Sequence, residues 1–298
     1  MIIRPRRSVL FMPASNARAI EKAHTLPVDC IVLDLEDSVA PAAKDAARIQ
    51  AMEAVGAGGF GAREVIVRIN GLETGWWLDD VNAAAAVKPD ALLVPKVTSP
   101  ADLEHVADRL VDISADHKIR IWAMMESPLA VLNARDIAAA AKDVETRLSV
   151  LVMGTNDLAK ETRARLVPGR APMRPWLMTC VAAARAFGLD IIDGVYNDLH
   201  DADGLAAECR DARDMGFDGK TIIHPNQIAA VNAAFAPGAD EVAQARAIIA
   251  AFERPENQDK GVIALDGRMV ERLHADMARR TVAIADAIAA GGNGASAV

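Results

Sequence analysis

Two carboxylates at the ends of apolar runs are the strongest candidates for chemistry in this chain. Glu126 follows the run IRIWAMM, and Asp157 follows LSVLVMGTN. Such a run is typical of a buried parallel strand, and polar residues beyond its carboxyl end lie where α/β enzymes place their catalytic groups. Two oxygen donors without a neighbouring His or Cys suit Mg²⁺, which binds one or two carboxylates and keeps water and substrate as further ligands. Helix N-caps or surface ion pairs are the alternative interpretation of both residues.

Further charged residues follow other apolar runs. Asp34, Glu36 and Asp37 lie in the segment VLDLEDSV, Arg68 ends VIVR, and Lys96 ends LLVPK. A guanidinium binds a carboxylate through two parallel hydrogen bonds, so Arg68 either binds an anionic substrate or pairs with Asp34 or Glu36, and both can hold at once. Lys96 either neutralises an anion or pairs with the acidic segment. Carboxylates this close together usually raise the pKa of one of them.

Eight strand-like runs alternate with helical segments and predict the elements that position these residues. The runs are SVLFMP, CIVLDL, VIVRIN, ALLVPKV, IRIWAMME, LSVLVMG, DIIDGVY and GKTIIHP. This count and rhythm predict an α/β fold, a (β/α)8 TIM barrel, whose polar strand ends meet at one mouth. Asp193 and His224 follow the last two runs, although a lone His before a helix is more typical of a structural residue. A doubly wound sheet would need a glycine-rich turn after the first strand, and MPASNA has none.

The pattern changes after the eighth unit. We predict a catalytic barrel domain over residues 1–236 and a helical extension over 237–298, with helices near 240–252 and 270–290. The final segment, GGNGASAV, has the low complexity of a disordered tail. The extension is either a lid over the mouth of its own or a neighbouring barrel, or an outer helix.

Composition limits the partners and the compartment. The 298 residues are 52% hydrophobic, enough for a large core, and carry a net charge of −8, which argues against a nucleic-acid partner. The three cysteines lack metal or disulfide spacing and are typical of reduced thiols. The N-terminal apolar run is too short for a signal peptide, and no run is long enough to span a bilayer. We therefore expect a cytoplasmic protein without a membrane partner.

Several segments together resemble a known family. In this order and spacing, RRSVLFMPASN, VLDLEDSV, VIVRING, VPKV, WAMMESPLAV, GTNDLA, IDGVYNDLHD and GFDGKTIIHPNQI are similar to the citrate lyase β-subunit-like (HpcH/HpaI aldolase/citrate lyase) family of CoA-ester lyases. The likeness covers essentially residues 4–275. The family includes citryl-CoA, malyl-CoA, β-methylmalyl-CoA and citramalyl-CoA lyases and malyl-CoA thioesterases.

The resemblance implies a Mg²⁺-dependent barrel enzyme, with Mn²⁺ as an alternative ion. Its reaction would cleave a C–C bond of a 3-hydroxy-dicarboxylyl-CoA thioester to give acyl-CoA and a keto acid, or would form that bond in the reverse direction. Glu126 and Asp157 match the family's metal ligands, and Arg68 matches the arginine that binds the keto-acid carboxylate. Asp37 matches an acidic residue beside the metal water and the substrate. A homo-oligomer, a trimer or hexamer, is also implied.

Two other regions match the family less closely. Arg6 and Arg7, and the stretch around Tyr196 and Asn197, resemble its CoA-contacting surface. The family's catalytic base is an aspartate from the C-terminal segment of an adjacent subunit, in a motif like GxMVDxPH.

Here that segment reads GRMVERLH, with Glu271 at the aspartate position and Leu273 at the proline position. The extra methylene moves the carboxylate by one C–C bond, and misplacement on the scale of about 1 Å can cost roughly 10²-fold in rate. Either the segment is shifted to compensate or the reaction differs, which favours thioester hydrolysis as the alternative to C–C cleavage.

Two further classes of protein are alternatives. A metal-dependent aldolase of free hydroxy-keto acids uses the same barrel but has no need of a CoA surface or a C-terminal lid. A non-catalytic relative would lack a metal ligand, whereas Glu126 and Asp157 are both present.

Overall fold

Eight parallel strands close into a barrel in the computed structural model of the chain, which describes residues 3–294 and side chains through residue 291. The strands pair in sequence order, and the eighth returns to the first, with Val9 opposite Thr221. The (β/α)8 prediction is confirmed. The barrel strands are β1 (Ser8–Pro13), β2 (Cys30–Asp34), β3 (Glu64–Arg68), β4 (Ala91–Val94), β5 (Arg120–Met125), β6 (Leu148–Met153), β7 (Asp190–Asp193) and β8 (Gly219–Ile222).

Helices connect the strands and cover the outside of the barrel, where they share its larger hydrophobic core. They are α1 (Ala17–Ala23), α2 (Lys44–Ala57), α3 (Trp77–Val87), α4 (Pro100–Asp112), α5 (Pro128–Leu132), α6 (Ala134–Ala139), α7 (Thr155–Thr162), α8 (Arg174–Ala186), α9 (Ala202–Met215) and α10 (Ile228–Phe235). No helix in the described part of the chain is both long and apolar enough to cross a bilayer.

A second, smaller core fills the barrel interior and explains which polar residues reach its mouth. Val32, Ile66, Trp122 and Met124 belong to this inner core. Successive side chains of a strand point to opposite faces, so the row that points inward continues with every second residue. In three strands the next inward-pointing residue toward the carboxyl end is polar: Asp34, Arg68 and Glu126. Alternation along the strand therefore directs these three side chains into the mouth.

The same alternation directs other polar residues away from the mouth. Ile192 belongs to the inner core, so the neighbouring Asp193 points outward to the helices. Lys220 has the matching outward position on β8, and its Nζ lies 2.7 Å from Asp193 Oδ2. Arg170 binds the same carboxylate at 2.7 Å. Asp193, expected at the mouth, is instead a fully buried partner in an ion-pair network between sheet and helices.

The C-terminal residues form a separate compact unit, which contains the described residues from Ala236 onward and those before Arg6. Its elements are α11 (Ala239–Glu253), β9 (Val262–Leu265), β10 (Arg268–Glu271) and α12 (Arg272–Gly294).

The sequence interpretation had no strands in this unit, and the hairpin β9–β10 corrects it. The hairpin turn is Asp266–Gly267, and both residues have positive φ, 50° and 77°, as a tight type I′ turn requires. Phe252, Ile263 and Val270 pack together in a small core. Helix α12 continues four residues into the predicted disordered tail, and the last four residues lie outside the described range.

Candidate active site

A cavity of about 420 Å³ opens at the carboxyl ends of the barrel strands. Four of the residues predicted from the sequence line it together: Glu126, Asp157, Arg68 and Asp37. Asp34 joins them, whereas the rest of the lining includes apolar side chains such as Phe11, Met124, Met153, Val195 and Ile223. The structure therefore combines charged and apolar side chains in one cavity.

Glu126 is a deeply buried acid of this cavity, with 3% of its surface exposed. Its Oε1 accepts a hydrogen bond from the backbone N–H of Lys96 at 2.6 Å. Burial is the largest influence on its pKa and raises it to about 7, because the opposing effects of the Lys96 N–H and the Arg68 charge are smaller. The charges of Glu36 and Asp157 add to the increase. Glu126 is thus a buried carboxylate with incomplete compensation of its charge.

Gly154 makes the position of Glu126 sterically possible. A Cβ atom on Gly154 would lie 2.4 Å from the Glu126 Cβ and 2.6 Å from its Oε2, far inside a normal contact. The missing side chain at the end of β6 therefore leaves the space that the carboxylate occupies.

Neither carboxylate is a helix N-cap. Ser127 caps α5, where its side chain accepts a hydrogen bond from the Ala130 N–H. Gly154 holds the N-cap position of α7, and Asp157 lies in the first turn of that helix. A negative charge is favourable there, since the N-terminus of a helix carries partial positive charge. The structure thus removes the N-cap interpretation and leaves both carboxylates available to the cavity.

Arg68 is held in place by the acidic segment after β2. Its Nε and Nη2 each donate to an Asp34 carboxylate oxygen at 2.7 Å, and its Nη1 lies 2.9 Å from Glu36 Oε2. Burial alone would raise the pKa of Asp34, but the Arg68 charge and hydrogen bonds outweigh it and lower that pKa. The predicted pairing of Arg68 with Asp34 and Glu36 is confirmed, and Arg68 lines the cavity as well.

Arg6 and Arg7 lie at the other end of the barrel, because they precede β1 and parallel strands share one direction. Arg6 donates to Glu64 at 2.7 and 2.9 Å and to Asp190 at 2.5 Å. Arg7 donates to Asp29 at 2.8 Å. The expectation that these arginines bind substrate is therefore corrected: both are engaged in ion pairs at the amino-terminal end of the strands.

Glu271, Tyr196 and His224 each have hydrogen bonds to residues near them in the sequence. Glu271 belongs to the C-terminal unit, where its backbone N–H donates to His274 Nδ1 at 2.9 Å. The hydroxyl of Tyr196 donates to Asp201, which raises the Tyr196 pKa to about 12. His224 is exposed and its ring accepts a hydrogen bond from the Asn226 N–H, in agreement with a structural role.

Sequence reasoning overlooked several residues of the cavity. Asn156 lines it and exchanges two side-chain hydrogen bonds with Asn197, at 2.8 and 3.1 Å. Thr155 and Thr221 also line it. Thr221 follows from the inward alternation of β8, but the asparagine pair joins residues 41 positions apart and has no local signal.

The donor set fits a magnesium ion. No group of three or more His, Cys, Asp or Glu side chains that could hold a metal occurs within the described residues. Mg²⁺ needs only one or two protein carboxylates, since water and substrate complete its octahedral shell. A divalent cation between Glu126 and Asp157 would also compensate the charge that burial destabilises.

A closed barrel that brings an acid pair and a buried arginine into one cavity at its carboxyl end has the architecture of a TIM-barrel enzyme. Residues 7–225 match the family model described as HpcH/HpaI aldolase/citrate lyase, and the chain belongs to this family.

Named relatives cover nearly the whole chain. It is 49% identical to a (3S)-malyl-CoA thioesterase of Cereibacter sphaeroides, over 97% of each chain. It is 32% identical to the mitochondrial citramalyl-CoA lyase of Homo sapiens, over 95% of this chain and 86% of that one. The solved structure of CitE from Mycobacterium tuberculosis, in complex with magnesium, acetoacetate and coenzyme A, has 30% identity and a TM-score of 0.75, covering 96% of this chain and all of that one.

Proposed function

We propose that this chain hydrolyses the CoA thioester of a short 3-hydroxy dicarboxylic acid, of the malyl-CoA type, with Mg²⁺ held by Glu126 and Asp157. The observation that carries the proposal is the single cavity that these two carboxylates line together with Arg68. Hydrolysis is placed ahead of C–C cleavage because the identity to the thioesterase is 49%, whereas the identity to the citramalyl-CoA lyase is 32%.

Arg68 is the group that binds the free carboxylate of the acyl chain. Its hydrogen bonds to Asp34 use one N–H each of Nε and Nη2, and its Nη1 lies 2.9 Å from Glu36 Oε2. A guanidinium has five N–H donors, so one on each Nη remains for a substrate carboxylate. Because Asp34 fixes the plane of the guanidinium, these two donors are oriented before the substrate arrives.

Glu126 and Asp157 would hold the metal in this cavity. When bound, Mg²⁺ supplies a Lewis acid that polarises substrate oxygens and keeps them in register. The apolar lining residues Phe11, Met124 and Met153 contact the carbon skeleton of the acyl chain.

Hydrolysis then requires a base for water and a proton for the leaving sulfur. Water attacks the thioester carbonyl carbon, the C–S bond breaks, and its electron pair leaves with the CoA sulfur. Asp37, an exposed carboxylate in the cavity lining, accepts the proton from water and returns it to the sulfur. The products are the free hydroxy dicarboxylic acid and CoA.

The test is an assay of purified protein with Mg²⁺ and malyl-, methylmalyl-, citramalyl- or citryl-CoA, with free thiol and keto acid measured separately. Hydrolysis releases thiol without keto acid. Glu126→Gln and Asp157→Asn should each lower turnover by more than the roughly 100-fold that loss of an outer-shell metal partner costs. They should also weaken Mg²⁺ binding measured by calorimetry.

Matched controls lie on the outer surface of α4. Glu104 and Asp108 are exposed there, so Glu104→Gln and Asp108→Asn make the same chemical changes away from the cavity and should keep normal turnover. Undiminished activity in Glu126→Gln or Asp157→Asn would contradict the metal assignment. Keto acid released in equal amount to the substrate consumed, with no thiol, would contradict hydrolysis.

C–C cleavage is the second candidate, and the 32% identity to a citramalyl-CoA lyase favours it. In that reaction Glu271 would take the proton of the substrate hydroxyl. Glu271→Ala should then abolish keto-acid release without changing the fold, and Glu271→Asp should retain it. Equal keto-acid release by the wild type and Glu271→Ala would exclude Glu271 as the base.

A further inference from the structure

Lys96 has a backbone conformation that side-chain-bearing residues rarely adopt. Its φ is 53°, immediately beyond β4. Four of the six other described non-glycine residues with positive φ have a local explanation: Lys88, Arg147 and Arg163 are helix C-caps, and Asp266 lies in a hairpin turn. Lys96 has neither position, and strained residues of this kind persist where the surrounding structure holds them in place, often at functional sites.

The consequence of this conformation is the placement of one N–H. The backbone nitrogen of Lys96 donates to Glu126 Oε1 at 2.6 Å. A short hydrogen bond to a buried carboxylate is strong and directional. The positive φ therefore orients a donor toward the acid that is proposed to bind the metal.

The side chain of Lys96 contacts a different carboxylate from the one its backbone contacts. Its Nζ lies 2.8 Å from the buried Glu36 Oε1. The other oxygen of Glu36 lies 2.9 Å from Arg68 Nη1. Asp37 and Glu73 also face the Lys96 Nζ, at 3.9 and 3.8 Å. Lys96 is thus the counter-ion of the carboxylate that braces Arg68.

Building on the proposed function, we propose that Lys96 is a positioning residue that fixes Glu126 through its backbone N–H and Arg68 through Glu36. A single residue then sets the position of the metal-binding acid relative to that of the substrate-binding guanidinium. Loss of the side chain affects Arg68 and its bound carboxylate, whereas loss of the backbone conformation affects Glu126 and the metal.

Four substitutions separate the two contributions. Lys96→Gly and Lys96→Met remove Nζ, and glycine adopts positive φ without strain, so its N–H stays in place. Lys96→Arg keeps a cation for Glu36. Lys96→Val removes Nζ and resists positive φ, because a β-branched side chain fits that region poorly. Lys88 is the matched control, since it has φ 58° but caps α3 and is well exposed.

The first measurement is the affinity for Mg²⁺ alone, by calorimetry, with circular dichroism to confirm folding. Lys96→Gly and Lys96→Met should bind Mg²⁺ as the wild type does, and Lys96→Val about tenfold or more weakly, as for loss of an outer-shell partner. Lys88→Gly and Lys88→Val should bind normally. Equal affinity in Lys96→Val and Lys96→Gly overturns the role of the backbone.

The second measurement is the separation of KM from kcat with the thioester substrate. Lys96→Gly and Lys96→Met should raise KM about tenfold, because the guanidinium that binds the carboxylate loses its brace, and Lys96→Arg should restore it. Wild-type KM in Lys96→Gly overturns the role of Nζ. A wild-type protein that binds no Mg²⁺ overturns the proposed function and this inference together, a result distinct from any difference among the variants.

Discussion

Gly154→Ala is expected to disable the site without breaking the barrel. The new methyl would lie 2.4 Å from Glu126 Cβ and 2.6 Å from Oε2, whereas non-bonded carbon atoms approach to about 3.5–4.0 Å. The backbone of Gly154 is held by hydrogen bonds with Met125 and Leu158, so Glu126 must move, backbone and side chain together, by about 1 Å or more. Displacement of a catalytic group on this scale can cost about 10²-fold in rate.

The assay for Gly154→Ala combines kcat/KM with calorimetric Mg²⁺ affinity, and both should fall. Gly75→Ala is the control, because a Cβ there meets no atom within 4 Å and the φ of Gly75 is not positive. Gly154 itself has φ −99°, so alanine introduces a contact and no backbone strain. Loss of an outer-shell partner of a metal costs at least roughly tenfold. If Gly154→Ala kept both kcat/KM and Mg²⁺ affinity within about threefold of wild type, the steric placement of Glu126 would not matter for the chemistry.

Two further predictions concern the framework around the site. Burial alone would raise the pKa of Asp193, but the charges of Lys220 and Arg170 outweigh burial and lower that pKa. The ionised Asp193 therefore stabilises the fold above about pH 4, the pKa of an unfolded aspartate. This stabilisation is lost as the pH falls through the lower pKa of the folded state. The difference in unfolding free energy between wild type and Asp193→Asn should therefore narrow below about pH 4 in denaturant titrations, and a constant difference would contradict this origin. Asn156→Ala and Asn197→Ala each remove the same reciprocal pair of hydrogen bonds, so the double variant should raise KM no more than either single variant; additive effects would show that the two amides act separately.

Much of the mouth can be predicted from alternation along single strands. Cys30 and Val32 point inward, and so does Asp34; Trp122 and Met124 lead in the same way to Glu126. The outward direction of the Asp193 side chain follows from the same rule, because Ile192 points inward. The position of Arg6 also follows, because a residue that precedes a parallel strand lies at the end opposite the mouth.

The C-terminal hairpin also has a local signal in the sequence. Asp266 and Gly267 between two short apolar runs are a strong hairpin signal, and the hairpin β9–β10 is present. No comparable signal marks the conformation of Lys96, since its positive φ is stabilised by contacts with Glu36 and Glu126 rather than by its own residue type.

The sequence by itself determined the eight βα units and the acids and arginine at their carboxyl ends, because both depend on hydrophobic periodicity along one segment. Tertiary structure alone decided which charges pair. Arg68 binds Asp34 across 34 residues, and Lys220 binds Asp193 across 27. These partners are selected by the register between neighbouring strands and by competition among several nearby charges for each carboxylate. Neither quantity is encoded in any one stretch of the chain.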